Sequence, residues 1–484
     1  MSRRHSFGFS DNPKSKPLKT HTTNYDHQNT QARQADALIA QGRIIEAEKI
    51  CTHLINSRTN NHSVYTNLAI IRGIQGDHNS AKSLLNKAIL LNAKAAEPYY
   101  NLGITHEQLG DLESAIQAYK KALEINAKDT ECIINLGNIL AATGKISGAF
   151  EAYKKALEII PNNPELRWNH SLAMLLSGDY KNGWEEYEWR HRRPRSATEP
   201  HAYPKCKRWK GEELKNSTKL IFVSEQGLGD TLQFMRYADA FQKQGFDISI
   251  CAQPKLHGLI KASGIARAPL SPLEASQVKE GCWLPLLSAP KHLGVHPQNP
   301  VIDAPYIKTS KELLAKWKSI LAIESKPIIG INWQGNPNSE KTGLKGRSLP
   351  LKAFSKIALK KDISLLSLQK GFGSEQLKKC SFKESFIKSQ CLINETWDFL
   401  ETAAIIANCD LIITSDTAVA HLAGGLGKPT WLLLHKVPDW RWGLEGDTTF
   451  WYPSMRLFRQ RNHGDWNEVM ERVNTSLKAY FKVP

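Results

Sequence analysis

The hydrophobic rhythm of the chain changes near residue 219. Up to about residue 190, small and apolar residues recur on a fixed interval of 34. Gly42, Gly76, Gly110, Gly144 and Gly178 form one register, Ala47, Ala81, Ala115 and Ala149 a second, and Asn67, Asn101, Asn135 and Asn169 a third. The clearest interval, Ala96 to Asp129, carries Tyr99, Leu102, Gly103, Ala115, Tyr119 and Ala122 at helical spacing on either side of Gly110. Each interval is therefore expected to fold as two amphipathic helices joined at the glycine, with the alanines letting the helices approach closely. From Lys219 onward short apolar runs alternate with amphipathic stretches, which predicts strand–helix–strand units. The first unit runs from Leu220–Ser224 through Leu232, Met235, Tyr237 and Phe241 to a strand at 248–252. A second series predicts strands at 328–333, 363–368, 411–414 and 430–434, and helices at 351–359, 397–408, 417–426 and 466–481.

The 34-residue period and its residue types resemble the tetratricopeptide repeat. Such units cannot bury their apolar faces alone, so they stack into a superhelix with a concave groove. About five are expected over residues 28–190, the last ending in Trp184, Tyr187 and Trp189, aromatics suited to capping the stack against a following domain. This half also resembles the repeats of the eukaryotic O-GlcNAc transferase. That likeness implies that Asn67, Asn101, Asn135 and Asn169 form an acceptor groove holding the backbone of a protein or peptide partner. Asparagine is also simply common at that helix position, and the residues alone leave both readings open.

The second half carries Glu225-Gln226-Gly227-Leu228-Gly229-Asp230-Thr231 between a strand and a helix, and Ser415-Asp416-Thr417-Ala418-Val419-Ala420-His421 at another strand–helix junction. Gly330–Gly335, Arg347–Leu351, Ser367–Gly371 and Pro438–Trp442 complete the set. In this order they resemble the bacterial heptosyltransferases, in the branch with N-terminal repeats. The resemblance covers about residues 205–484 and is specific to superfamily, not to substrate. It implies two Rossmann-like α/β domains in a GT-B arrangement, after an all-α repeat superhelix, and transfer of a sugar from a nucleotide-sugar donor to a protein, glycan or lipid. The matching aspartate is the base in that family, which makes Asp230 the catalytic candidate. A carboxylate on a cleft loop can take the proton of an attacking hydroxyl or amide. Its alternative is an N-cap for a helix starting at Thr231, and Glu225 stands behind it as a second choice. Strand ends followed by helix N-termini bind anions, which marks Ser415, Asp416, Thr417, Ala418 and His421 for the donor diphosphate. Asp416 could instead be only an N-cap and His421 a surface histidine. Asn332, Gln334, Arg347, Lys370 and Arg441 complete the expected donor site. No Asp-x-Asp occurs in the sequence, so basic side chains rather than a metal are expected to neutralise the leaving group. Trp333 and Trp440 could stack on a base or pack internally, and packing is the better reading of each. His292 and His296 have helical ligand spacing, but Gly294 and Pro297 oppose a helix there, so both are read as structural. Neither a metal nor a cofactor is expected.

Composition narrows the setting. The formal charge is +17 over 484 residues, and residues 190–219 hold ten basic residues against three acids. That run, from Arg190 through Arg195 to Lys219, reads as a solvated basic linker. It lacks the basic helix and interleaved aromatics of a nucleic-acid surface, though it could touch a membrane peripherally. No segment is apolar enough to span a bilayer, and the polar first 27 residues read as a disordered tail rather than a signal sequence. Eight scattered cysteines with no CxxC fit a reducing cytoplasm. The expected layout is thus a tail at 1–27, repeats at 28–190, a linker at 191–218, an acceptor domain at 219–310 and a nucleotide-sugar-binding domain at 311–484. A dinucleotide oxidoreductase is disfavoured because Leu232 stands where the fingerprint requires its third glycine. A repeat scaffold joined to an inactive transferase fold remains the main alternative.

Overall fold

The computed structural model describes residues 24–194, 198–215, 217–301, 305–340, 346–358 and 362–482. Residues 1–23 of the expected tail, Arg195 of the basic run and Leu359 of a predicted helix lie outside them. The first helix begins at Asn24, inside the span read as tail.

Ten helices follow the 34-residue period: α1 Asn24–Ala40, α2 Ile44–Asn56, α3 His62–Ile74, α4 His78–Leu91, α5 Ala96–Leu109, α6 Leu112–Ile125, α7 Thr130–Ala142, α8 Ile146–Ile159, α9 Pro164–Ser177 and α10 Tyr180–Tyr187. The five register glycines all sit in the left-handed region, φ +75° to +90°, where a side chain is strained. The aspartates after three of them cap the next helix: Asp77, Asp111 and Asp179 accept from the main-chain N–H of Ser80, Ser114 and Asn182. Ala47, Ala81, Ala115 and Ala149 are wholly buried. A second periodic pair fills the space between helices. Tyr119 lies on Gly103, and 34 residues later Tyr153 lies on Gly137, where an added Cβ would come within 2.7 Å of the ring.

The chain divides into two compact units, at Ala173/Met174. Helix α10 therefore groups with the second unit, not with the repeats at 28–190 where the period places it. Its aromatic face explains this. Tyr180 meets Phe450 at 5.3 Å between ring centroids, Trp184 meets Trp440 edge-on at 5.4 Å, and Trp184 Nε1 donates to the Val295 carbonyl at 2.8 Å.

The second unit holds two all-parallel sheets. The first has strands β1 Lys207–Arg208, β2 Lys219–Val223, β3 Asp247–Cys251 and β4 Cys282–Pro285, in the order β1-β4-β2-β3. The second has β5 Ile328–Asn332, β6 Ser364–Ser367, β7 Leu411–Ser415, β8 Thr430–Leu434 and β9 Met455–Arg459, in the order β6-β5-β7-β8-β9. Parallel strands buried on both faces read as continuous apolar runs, and every residue of β5, β7 and β8 is buried. The stretch read as a solvated linker is instead partly built into the first sheet. Strand β1 pairs with β4, Trp209 is buried, and Arg190 at its head is fully buried. The predicted helix at 351–359 is a 3-10 turn, Leu351–Phe354, followed by Ser355–Ala358. Strands β4 and β9 lie in stretches for which no strand was expected. Among the described residues no helix is long and apolar enough to cross a membrane.

The glycine–tyrosine pairs yield a contrast. Gly137→Ala should destabilise the repeats by roughly 1–3 kcal/mol through overpacking. The loss should shrink in a Tyr153→Leu background, as read by thermal unfolding. Equal losses in both backgrounds would mean that the ring is not what the new methyl meets.

Candidate functional site

In a parallel sheet all strands end on one edge, and ligands bind there where strand order reverses. In the second sheet that point lies between β5 and β7. Asn332 closes β5, and its Oδ1 accepts from the hydroxyls of Thr417 at 3.0 Å and Thr414 at 3.4 Å. Thr417, not Asp416, is the N-cap of the Ala418–Gly425 helix. Because its hydroxyl turns to Asn332, no side chain caps the first turn of that helix. Gln369 Oε1 accepts from Asn332 Nδ2 at 3.0 Å and from the main-chain N–H groups of Trp333 and Gln334 at 3.1 and 2.9 Å. Asn332 and Gln334 are thus locked by a glutamine to which no role was given. Trp333 is a core residue, its Nε1 donating to the Gly373 carbonyl at 3.2 Å.

The first sheet presents the loop after β2. Its helix runs Leu228–Phe234 with Gly227 as N-cap, so Asp230 is at the third helical position and does not cap a helix starting at Thr231. Its Oδ2 accepts the Gly227 N–H at 2.9 Å. A side chain at Gly229 would collide with His421, at 2.9 Å from Cδ2. Glycine there lets this helix approach the Ala418–Gly425 helix of the second sheet closely.

Across that approach, Arg441 Nη2 is paired with Asp230 Oδ1. The same guanidinium donates to Asp439 Oδ1 at 2.8 Å and, through Nε, to Gln233 Oε1 at 2.6 Å. Burial raises the Asp230 carboxyl above its ordinary value, and the Arg441 charge opposes that. Burial first, then the nearby Asp439 charge, pushes Asp416 up to about 6. His421 is buried, with Nδ1 hydrogen-bonded to the Tyr452 hydroxyl at 2.8 Å. Burial and the charges of Arg441 and Arg236 drive its pKa well down. It can give a ligand a hydrogen bond but no charge, and it is not the surface histidine of the simpler reading.

The remaining candidates separate. Arg347 lies against Gly335 and 3.8 Å from Glu340, within electrostatic reach of Asp416. Lys370 gives its ammonium to the Ile393 carbonyl, and burial lowers its pKa to about 8. Neither Ile393 nor its electrostatic neighbour Glu401 belongs to the Asp230–Arg441 cluster. Glu225 is fully buried and bound by Arg190 at 2.8 Å, so it is no substitute base. Ser415, closing β7, is fully buried with its hydroxyl unpartnered, as is His435 Nδ1 just after β8 and Arg459 Nη1 at the end of β9. His292 stacks on Trp209 at 4.4 Å, while His296 Nδ1 meets Gln298 at 2.9 Å.

In the helical unit, Asn67, Asn101 and Asn169 are buried and Asn135 is half-buried. Their amide nitrogens donate to the Ala32 carbonyl, the Glu97 carbonyl, Asn138 Oδ1 and the Tyr100 hydroxyl respectively. Asn67 Oδ1 and Asn101 Oδ1 have no hydrogen-bond partner.

Tetratricopeptide-repeat family patterns match residues 62–94, 96–129 and 137–178. The helical unit is a solenoid of tetratricopeptide repeats. Over 351 residues the chain is 24% identical to the protein FlbA of Caulobacter vibrioides, covering 65% of this chain and 55% of FlbA. The chain thus spans about half the length of that relative. Among solved structures it is similar to MamA from Desulfovibrio magneticus RS-1 (15% identity, 34% of this chain and 92% of that one, TM-score 0.31). It is also similar to PilF of Pseudomonas aeruginosa (15% identity, 46% and 88%, TM-score 0.35).

The Asp416 environment yields a pH prediction. Its folded pKa lies above the unfolded value of 3.8, so the native state holds the proton more tightly. The stability this contributes is full below about pH 4 and is lost as pH rises through about 6. Asp416→Asn should therefore be more stable than the parent at pH 8, by roughly 1–3 kcal/mol, and equal to it near pH 4. Urea unfolding at both pH values checks this. A variant less stable at pH 8 would show the ionised carboxylate to be favourable there.

Proposed function

We propose that the α/β unit is a metal-independent glycosyltransferase using a nucleotide-sugar donor, and that the repeats recruit a protein or peptide acceptor. The observation that carries the reading is the edge of the second sheet. At the ends of adjacent strands it collects buried polar atoms without partners, on Ser415, His435 and Arg459, beside a helix start with no side-chain cap. Buried polar groups are normally satisfied, and groups of this kind would be satisfied by a diphosphate. Arg347 and Arg441 would carry the opposing charge. Asp230, facing Arg441 from the other sheet, would be the base. In this reading the diphosphate competes for Arg441 and frees the carboxylate to accept the acceptor's proton. The heptosyltransferase-like motifs fit this reading.

A second reading has its own observation. Arg441, Asp230, Asp439 and Gln233 form a closed network, which a purely structural α/β unit serving a repeat scaffold would also need. Calorimetry with UDP and ADP, with and without EDTA, separates the two. The transferase reading predicts binding of at least one nucleotide that chelation leaves unchanged. No binding favours the scaffold, and binding lost with EDTA contradicts the metal-free site.

Asp230→Asn should lower turnover by roughly 10²–10⁴-fold with donor affinity kept or improved, because Arg441 loses its competing charge. Steady-state rates beside calorimetry test this, and full activity would remove Asp230 from the mechanism.

A further inference from the structure

Gln226, four residues before Asp230, has φ +57°. Side chains other than glycine rarely adopt the left-handed region, and they persist there when surroundings over-determine them. Two anchors hold this turn, and both come from the segment that ends the repeat series. Gln226 Nε2 donates to the Tyr187 hydroxyl at 3.1 Å. On the residue before it, the buried Glu225 carboxylate receives Arg190 Nε at 2.8 Å, Arg190 Nη2 at 3.0 Å and the Leu287 N–H at 3.1 Å.

Both anchors are themselves fixed. Arg190 is fully buried and also donates to Ser288 Oγ at 2.8 Å, to Glu188 at 2.7 Å and to the Tyr187 carbonyl at 3.2 Å. Its guanidinium lies 4.6 Å from the centre of the Tyr187 ring. That ring meets Trp440 at 6.0 Å, and Trp440 sits between Asp439 and Arg441 in the chain. One short segment therefore touches both loops of the candidate site: the one that leads into the helix of Asp230 and the one that carries Arg441.

We infer that Tyr187 and Arg190 are positioning residues, which hold the 225–227 turn with Gln226 in its left-handed conformation and so aim Asp230 at Arg441. The consequence for catalysis rests on the transferase reading, while the hold on the turn does not. The period assigns the segment to the repeats, but its buried contacts make it part of the site's wall. A solenoid removed at residue 204 would take both anchors with it.

The test uses the full chain and Tyr187→Phe, which removes one hydroxyl and leaves the aromatic packing in place. Hydrogen exchange read by mass spectrometry should accelerate about fivefold to tenfold in peptides covering 224–230, the loss of one hydrogen bond, with peptides of strands β5–β9 unchanged. Adding Gln226→Gly should restore slow exchange, because glycine adopts φ +57° without strain. Unchanged exchange at 224–230 would overturn the inference. So would a uniform rise across the unit, which marks a purely structural role, or a failure of glycine to rescue. The readout requires no turnover. A protein that bound no nucleotide would sink the transferase reading and leave this inference to the exchange data alone.

Discussion

The second unit depends on one buried cation. Arg441 is almost completely buried, and its guanidinium is shared by Asp230, Asp439 and Gln233. Taking such a charge out of water costs several kcal/mol, which only well-placed partners can offset. Two of its partners, Asp230 and Gln233, come from the helix after β2, while Asp439 comes from the loop after β8. The pair is therefore a tie between the two sheets as well as a chemical site. Removing Arg441 takes the cation from both Asp230 and Asp439, while removing Asp230 leaves the guanidinium with Asp439 and Gln233 only.

The neighbouring packing follows from that requirement. For Asp230 to reach Arg441, its helix must lie close to the Ala418–Gly425 helix, and only glycine at 229 leaves room beside His421. Water must also be kept from the pair. Trp440, Trp451 and Phe234 surround it, and Trp451 Nε1 donates to the Arg441 carbonyl at 2.8 Å. Arg236, just beyond the Asp230 helix, is also buried, donating to the Trp451 carbonyl at 2.7 Å and to the Tyr306 hydroxyl at 3.2 Å. The aromatic face of α10 then covers Trp440. Each layer is explained by the need to hold or to shield the layer inside it.

The repeats were legible because their physics is local. A left-handed turn glycine and a buried small residue are each demanded at one position per unit, so a period of 34 exposes them. The buried strands were legible as apolar runs, and β8 and the 466–481 helix fall where the pattern puts them. What escaped was pairing at long range. Nothing local distinguishes Arg190, buried against Glu225 35 residues later, from the exposed cations that follow it. Lys370 reads as a phosphate ligand from its motif, yet it spends its charge on a carbonyl of the Gln390–Glu395 helix. Gln369 lies inside the Ser367–Gly371 motif, but its role depends on Asn332 and Gln334 at the end of another strand, and Gln233 and Asp439 gain theirs only through the buried Arg441. The same holds for three of the repeat asparagines, since Asn67, Asn135 and Asn169 give their amides to neighbouring helices, while Asn101 gives its amide to Glu97 of its own helix.

If the Asp230–Arg441 pair joins the two sheets, a double-mutant cycle will measure the joint. Asp230→Ala, Arg441→Ala and the double variant would be unfolded in urea, following the tryptophan signal of the second unit. The coupling should be about 2 kcal/mol or more, with the double variant losing far less than the sum of the single losses. Additivity to within about 0.5 kcal/mol would show that the two residues do not sense each other, and would contradict such a joint.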